Sequence, residues 1–214
     1  MRDPIMATRD QVNPFYEQMS GIYVGIDLAL PGRRRTGVGV LNTVEPMYFV
    51  NTLSSREELV SFALGQKPSF VCIDAPPLGL PRHGFNRLIE IKARKLGGLR
   101  LLPPLLGSMR LLTMYGIQVA NYLRQVNIKV LEVHPTSTLK VLGMDRQGFM
   151  RIITSSLRAQ VSNVHEIDAL VSAFTCLLHD HGCTEALTGY GDDEGALIIP
   201  RSDCEIQVLL RGYA

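Results

Sequence analysis

The sequence predicts an α/β fold built on a mixed sheet. Two observations carry this prediction: three apolar runs near the N-terminus are joined by short loops, and two later apolar runs are separated by helical segments. The chain has 214 residues, of which 46% are hydrophobic and 20% charged, a globular composition for one domain. We therefore expect one domain over residues 21–214, preceded by a loose N-terminal arm over residues 1–20.

The first half of this domain predicts a meander followed by a helix. Short loops join antiparallel strands, whereas parallel neighbours need a crossover of about a dozen residues or more. Ser54 or Ser55 is suited to cap the helix, because Glu57 and Glu58 follow in its first turn. The three predicted strands cover residues 22–27, 37–41 and 47–50.

The second half predicts parallel strands separated by helices. Residues 70–74 are apolar on both faces, as in a central parallel strand. The helix that begins at Asp168 is rich in small residues, which suits close packing. Further strands are expected over residues 128–133, 196–200 and 206–210, and further helices over residues 85–96, from Pro104 to about Val126 and from Thr136.

Composition and cysteine spacing argue against several classes of protein. The net charge of +2 lacks the basic bias of many nucleic-acid-binding domains, although local patches matter more than totals. The four cysteines form no Cys-x-x-Cys pair, so we expect neither zinc nor a disulfide framework, but reduced thiols in the cytoplasm. No apolar run approaches the roughly 20 residues of a membrane-spanning helix, so we expect no membrane partner.

Acidic residues lie at the ends of three apolar strands. Asp27 ends the first strand, Asp74 ends the fourth, and Glu132 lies near the end of the fifth. Ligands of α/β sheets bind beyond the carboxyl ends of parallel strands, so these carboxylates converge if their strands are neighbours. Asp168, at the start of a late helix, is placed to join them.

A carboxylate cluster of this kind favours divalent-cation chemistry. Clustered carboxylates raise one another's pKa unless a cation lies among them, and oxygen ligands suit Mg²⁺ or Mn²⁺. Two such ions can activate a water and stabilise the leaving oxygen in phosphodiester cleavage. We therefore predict Asp27, Asp74, Glu132 and Asp168 as catalytic residues, with Asp27, Asp74 and Asp168 as metal ligands.

Each of these residues also has a structural alternative. Asp27 could cap the following turn, Glu132 could pair with a basic residue on the surface, and Asp168 could be a helix N-cap. An aspartate in an apolar strand is expensive to bury without a partner, which favours a functional role for Asp27 and Asp74. His165, which precedes the late helix, is a candidate for orienting a ligand.

The most basic region of the chain follows the Asp74 loop and is placed to line the approach to the site. Arg82, Arg87 and Arg100 flank turns rich in Pro and Gly, and we predict that they bind substrate phosphates. His134, two residues after Glu132, is a further candidate for substrate binding. The alternative for the arginines is a solvated helix face. The basic turn at residues 32–35 receives no role from the sequence.

Five motifs, taken in order, resemble one family. Gly-Ile-Asp-Leu-Ala at 25–29 and Arg-Thr-Gly-Val-Gly-Val at 35–40 resemble the opening of ribonuclease H-like domains. The later motifs are Ile-Asp-Ala-Pro-Pro-Leu-Gly-Leu-Pro at 73–81, Glu-Val-His-Pro at 132–135 and Ile-Asp-Ala-Leu-Val-Ser-Ala at 167–173. With these the chain resembles, over roughly residues 21–200, domain-of-unknown-function family four-two-nine, described as predicted nucleases of ribonuclease H-like fold.

The resemblance implies a mixed five-stranded sheet flanked by helices. It also implies that Asp27 and Asp74 are metal-ligand candidates and that Asp168 completes the set. Glu132 matches the family's Glu-x-His-Pro motif.

Three functions compete at this point. The first is a nuclease dependent on Mg²⁺ or Mn²⁺ that acts on DNA or RNA. The second is a nucleotide-binding phosphotransferase of the related actin and sugar-kinase fold, in which Asp27, Gly37 and Gly39 would cradle phosphates. Such kinases need two copies of the domain, and 214 residues hold one. The third is a non-catalytic binding domain without metal affinity.

A homodimer through the apolar helix after Pro104 is a further possibility, but that helix could equally be core.

Overall fold

The computed structural model describes residues 21–44, 47–74, 79–154 and 161–204. Its centre is a mixed sheet of seven strands in the order β3-β2-β1-β4-β5-β7-β6. The predicted N-terminal arm and the predicted strand at 206–210 lie outside the described residues. The strands are β1 (Ile22–Asp27), β2 (Thr36–Asn42), β3 (Met47–Leu53), β4 (Phe70–Asp74), β5 (Val130–Val133), β6 (Thr184–Thr188) and β7 (Ala196–Pro200).

Six helices flank the sheet within the described residues. Ser55 caps α1 as predicted: its side chain accepts from the Glu58 amide, and the Glu58 carboxylate accepts from the Ser55 amide. This reciprocal pair is a capping box. The helices are α1 (Arg56–Gln66), α2 (Leu88–Lys95), α3 (Met109–Gln125), α4 (Pro135–Val141), α5 (Arg146–Thr154) and α6 (Val164–Asp180).

The strand pairing confirms the mixed sheet and corrects its size. Strands β1, β2 and β3 form the predicted antiparallel meander, and β1, β4, β5 and β7 are parallel neighbours. The expected five strands are wrong, because β7 and β6 extend the sheet beyond β5. Strand β6 is an edge strand with only one buried residue, so it lacks the apolar pattern of the central strands.

Helices cover both faces of the sheet. Helix α6 packs against β1, β2 and β4 on one face, as its small residues predict. On the opposite face, α1 and α3 bury Leu59, Val119 and Leu123 against Val24 and Ile73 of the central strands. The carboxyl ends of β1, β4 and β5 therefore emerge between two layers of helices, which shields the groups at these ends from water on both sides.

Glycine allows α6 to lie directly on β1 and β2. A Cβ atom at Gly25 would overlap the Ala169 carbonyl oxygen and the Ala173 amide nitrogen, and a Cβ at Gly37 would overlap the His165 backbone. Only a residue without a side chain fits such an approach. This packing fixes the position of the first turns of α6 relative to the carboxyl end of β1.

The cysteines differ from the expectation of reduced thiols. The structure joins Cys72 of β4 to Cys176 of α6, and Cys183 to Cys204. The partners of the first pair are 104 residues apart in sequence, so spacing alone gave no sign of their proximity. Disulfides persist mainly in oxidising compartments, so the cytoplasmic location stays a prediction.

Helix α3 combines a core face with an exposed apolar face. It buries Val119 and Leu123, whereas Leu111, Met114 and Tyr122 are exposed. The predicted homodimer through this helix stays a prediction. Among the described residues, no helix is both long and apolar enough to cross a membrane.

Candidate functional site

Two of the predicted carboxylates lie side by side. Strands β1 and β4 are parallel neighbours, and their register pairs Asp27 directly with Asp74. Side chains alternate along a strand, so both aspartates share a face with Gly25 and Cys72, the face on which α6 lies. The register thus places two acidic groups at the same level, beneath the start of α6.

Helix α6 brings two more polar groups to this point. His165 Nδ1 lies 2.5 Å from Asp27 Oδ2, so the histidine fixes the position of the Asp27 carboxylate. Asp168 lies one turn further along the same side of the helix. The N-cap of α6 is Asn163, whose side chain accepts from the Glu166 amide. Asp168 is therefore inside the helix, and the N-cap alternative is wrong.

Arg146, which sequence reasoning missed, faces the same cluster. It is the first residue of α5, and its Nε and Nη2 donate to the two carboxylate oxygens of Asp168 at 2.7 and 2.8 Å. This fork-to-fork geometry is the strongest form of a charge-assisted hydrogen bond. Asp168 raises the pKa of Arg146, and Asp27 and Asp74 add to the effect. The guanidinium therefore acts as a counter-ion for three carboxylates.

The acidic groups are close enough to perturb one another. Burial raises the pKa of Asp74 well above its ordinary value, and the charges of Asp27, Asp168 and Glu132 raise it further. Burial also raises the pKa of Asp27 to about 6, although its hydrogen bond with His165 opposes the shift. A cation among these carboxylates would offset both the cost of burying their charges and their mutual repulsion.

Glu132 projects to the opposite face of the sheet. The register of β4 and β5 pairs it with Ile73 rather than with Asp74. There it accepts two hydrogen bonds from Arg87, at 2.8 Å from Nη1 and 2.5 Å from Nη2. Arg87 also binds both oxygens of Glu90, through its side chain and its amide, and all three side chains are at most 3% exposed.

Arg87 is thus held between two carboxylates in the interior. Burial alone would lower its pKa, but Glu132 and Glu90 outweigh that effect and raise it. Its Nη1 also donates to the Glu194 carbonyl at 3.1 Å. The structure therefore places Arg87 and Glu132, predicted as a phosphate-binding residue and a catalytic residue, in a buried ion-pair network that joins α2 to β5.

The remaining predicted binding residues differ in position. Arg82 pairs with Asp193 on the surface at 3.3 Å. Arg100 is exposed and lines a cavity of about 410 Å³ together with His134 and Lys140. We call this space the α4 cavity, because it opens beside the first residues of α4. Of the three predicted arginines, Arg87 is buried, Arg82 is paired with Asp193, and Arg100 is exposed beside the α4 cavity.

His134 is the N-cap of α4 and lines the α4 cavity. Its Nδ1 accepts from the Ser137 amide at 3.2 Å, which leaves the ring proton on Nε2. Burial lowers the pKa of His134 to about 4, so the ring is neutral at pH 7. A neutral imidazole with Nε2–H can donate a hydrogen bond to a ligand in the α4 cavity.

A central cavity of about 210 Å³ lies over the strand ends. Its lining includes Asp27, Asp74, Glu132, His134 and Leu112. The carboxylate donors are of the kind that Mg²⁺ and Mn²⁺ prefer. Within the described residues, however, no group of three His, Cys, Asp or Glu side chains is already arranged as a metal cage. The donor chemistry fits a divalent cation, but Asp168 and Asp27 are held by Arg146 and His165.

Comparison with known proteins gives little support from sequence. No protein-family profile and no curated protein matches this chain. The resemblance to family four-two-nine therefore stays a resemblance of motifs.

Among solved structures, the chain is similar to "T. thermophilus RuvC in complex with Holliday junction substrate", at 15% sequence identity and a TM-score of 0.47. The match covers 75% of this chain and 96% of that one. Because this likeness is so distant, we infer the function of this chain from its own residues.

Proposed function

We propose that this chain is a nuclease that hydrolyses phosphodiester bonds in DNA or RNA with Mg²⁺ or Mn²⁺. The observation that carries the proposal is the paired position of Asp27 and Asp74 at adjacent strand ends, beneath Asp168 and beside an open cavity. Buried carboxylates that raise one another's pKa are costly, and perturbed groups of this kind cluster at functional sites.

Asp27, Asp74 and Asp168 are the residues that would hold the cation. A bound divalent ion supplies a more acidic water and charge neutralisation at the leaving oxygen. Around it, the chain's own groups divide the remaining work. His165 orients Asp27 through Nδ1, and His134 offers its Nε2 proton to a phosphate oxygen in the central cavity. Asp168 becomes available when Arg146 releases it, which leaves the guanidinium free to meet a phosphate.

Helix packing weighs against the phosphotransferase alternative. That alternative needs the space above Gly37 and Gly39 for nucleotide phosphates. In the structure, a Cβ at Gly37 would overlap the His165 backbone, and one at Gly39 would lie 2.9 Å from the Leu170 amide nitrogen. Helix α6 packs against these glycines, so protein atoms fill the space that nucleotide phosphates would need.

Calorimetric titration of Mn²⁺ without nucleotide tests the metal site. We expect saturable binding to the wild type, and we expect Asp74→Asn to weaken it by at least about tenfold, the lower end of what removing an outer hydrogen-bond partner costs. Asp203→Asn is the matched control, because Asp203 is an exposed carboxylate paired with Arg201 and should leave affinity unchanged. An absence of binding in the wild type would contradict a metal site in the isolated chain and favour a non-catalytic domain.

The same titration with Arg146→Gln has the opposite expected sign. Arg146 competes with the cation for Asp168, so its removal should tighten Mn²⁺ binding. Arg151→Gln removes an exposed arginine from the same helix and should have no effect. If both substitutions behave alike, Arg146 does not compete with the cation at this site.

Cleavage of labelled oligonucleotides tests the activity itself. With Mg²⁺ or Mn²⁺ we expect the wild type to cut single-stranded or double-stranded DNA or RNA, and we expect chelation of the metal to abolish cutting. Asp27→Asn should lower the rate by at least about a hundredfold, within the range attributed to charge stabilisation at reacting oxygens. Metal binding without cleavage of any of the four substrates would indicate a metal-binding domain that is not a nuclease.

A further inference from the structure

Three cavities lie in a row across the site, because neighbouring cavities share lining residues. We call this row of cavities the groove. The central cavity shares His134 with the α4 cavity. On its other side, it shares Asp27, Leu28 and Leu112 with a cavity of about 490 Å³ beside the β1–β2 turn, which we call the hairpin cavity. The paired aspartates therefore lie part-way along a groove that continues in both directions.

Two arginines of the β1–β2 turn line the hairpin cavity. The amides of Arg33 and Arg34 both donate to the Leu30 carbonyl, at 3.1 and 3.4 Å, which closes a tight turn. Thr36 secures the base of the turn by accepting from the Ala29 amide at 3.1 Å. Both arginine side chains are exposed, and neither has an ion-pair partner in the part of the chain that the structure describes. A backbone fixed in this way keeps both arginines at the cavity that Asp27 and His165 also line.

The opposite end of the groove is also basic. Arg100 and Lys140 line the α4 cavity, and Lys140 Nζ donates to the Gly98 carbonyl at 3.3 Å. This contact leaves the ammonium group with further donors. The groove therefore runs from positive charge through the carboxylates to positive charge again.

The alternation of positive and negative charge along the groove favours an extended ligand with several phosphates. A cation bound at the carboxylates would neutralise the reacting phosphate, while the outer charges suit phosphates before and after it along a strand. A mononucleotide has phosphate on one side of its sugar and would leave one end of the groove empty. Phosphate contacts of this kind position a strand without reading its sequence.

The geometry points to a groove that binds a single nucleic-acid strand on both sides of the carboxylates, with Arg33 and Arg34 at one end and Arg100 and Lys140 at the other. This inference rests on the proposed function for the nature of the ligand and assigns a role to the basic turn at residues 32–35. Arg33 and Arg34 act as phosphate-binding residues that position the strand.

Fluorescence anisotropy of a labelled single-stranded oligonucleotide tests the groove in EDTA, so that binding is measured without metal and without cleavage. The two end variants are Arg33→Gln/Arg34→Gln and Arg100→Gln/Lys140→Gln. Each should weaken binding and reduce the slope of log affinity against log salt by about 1.4, since each phosphate contact on a single strand contributes about 0.7. Arg94→Gln/Arg151→Gln is the matched control, because it removes two exposed charges that line none of the three cavities.

The outcomes separate the groove from the nuclease. A loss of slope in both end variants but not in the control supports the groove, even if the Mn²⁺ titration and the cleavage assay fail. An equal loss in all three variants, an unchanged slope in either end variant, or no binding by the wild type would overturn the groove, even if cleavage persists. Displacement of the strand by a mononucleotide at equal concentration would also overturn it.

Discussion

Replacing Arg87 with methionine should destabilise the fold by about 3–5 kcal/mol. The substitution removes the guanidinium but leaves Glu90 and Glu132 buried at 1% and 3% side-chain exposure. Without the guanidinium charge, each carboxylate must either remain charged in the interior or take up a proton, and both cost free energy. The helix α2 start, where the Arg87 amide donates to Glu90 Oε2, is the part of the molecule that we expect to loosen first.

Urea denaturation followed by circular dichroism measures this effect. Arg82→Met is the matched control, because Arg82 forms a half-exposed pair with Asp193 that should contribute at most about 1 kcal/mol. Combining Arg87→Met with Glu90→Leu and Glu132→Leu should recover part of the loss, since an apolar replacement of a buried ionic group is often neutral or better. A small loss in the Arg87 variant, equal to that of the control, would contradict a structural role for this network.

The Arg87 network also shows what the sequence alone leaves undetermined. The apolar runs predict the ends of β1 and β4 and therefore bring Asp27 and Asp74 together, as their register does. The sequence also predicts Glu132 beside them, but β5 pairs Glu132 with Ile73, so its side chain leaves the strand on the opposite face and lines the central cavity from there. The pattern of apolar residues reveals a strand but does not determine its register. A shift of one residue moves a side chain to the opposite face of the sheet.

Other features depend on contacts between distant segments. Arg146 lies 22 residues before Asp168, at the start of a helix with no motif around it, so only the folded chain reveals their pair. The pairing of Cys72 with Cys176 and the addition of β6 at the sheet edge have the same origin. By contrast, the Ser55 cap and the close packing of α6 follow from local residue types, which is why they were predictable.

Replacing Gly25 with alanine should both destabilise the fold and disturb the candidate site. A Cβ atom there would overlap backbone atoms of Ala169 and Ala173, and backbone within a helix cannot move aside as a flexible side chain can. Overpacking of a tight core costs about 1–3 kcal/mol, and we expect the upper part of this range. Helix α6 must shift away from β1 to make room, and that shift carries His165 and Asp168 away from Asp27.

The Gly25 variant therefore has two linked readouts, thermal stability and Mn²⁺ affinity. Gly65→Ala is the matched control, because no atom lies within 4 Å of a Cβ at Gly65 and the residue is in helix α1. There alanine should be neutral or stabilise by up to about 1 kcal/mol, since it restricts the unfolded chain. If Gly25→Ala lowers stability but leaves Mn²⁺ affinity unchanged, the distance between α6 and β1 does not control the site. If it lowers both, the glycine on β1 sets the position of Asp168 over the paired aspartates, and the fold and the site share one constraint.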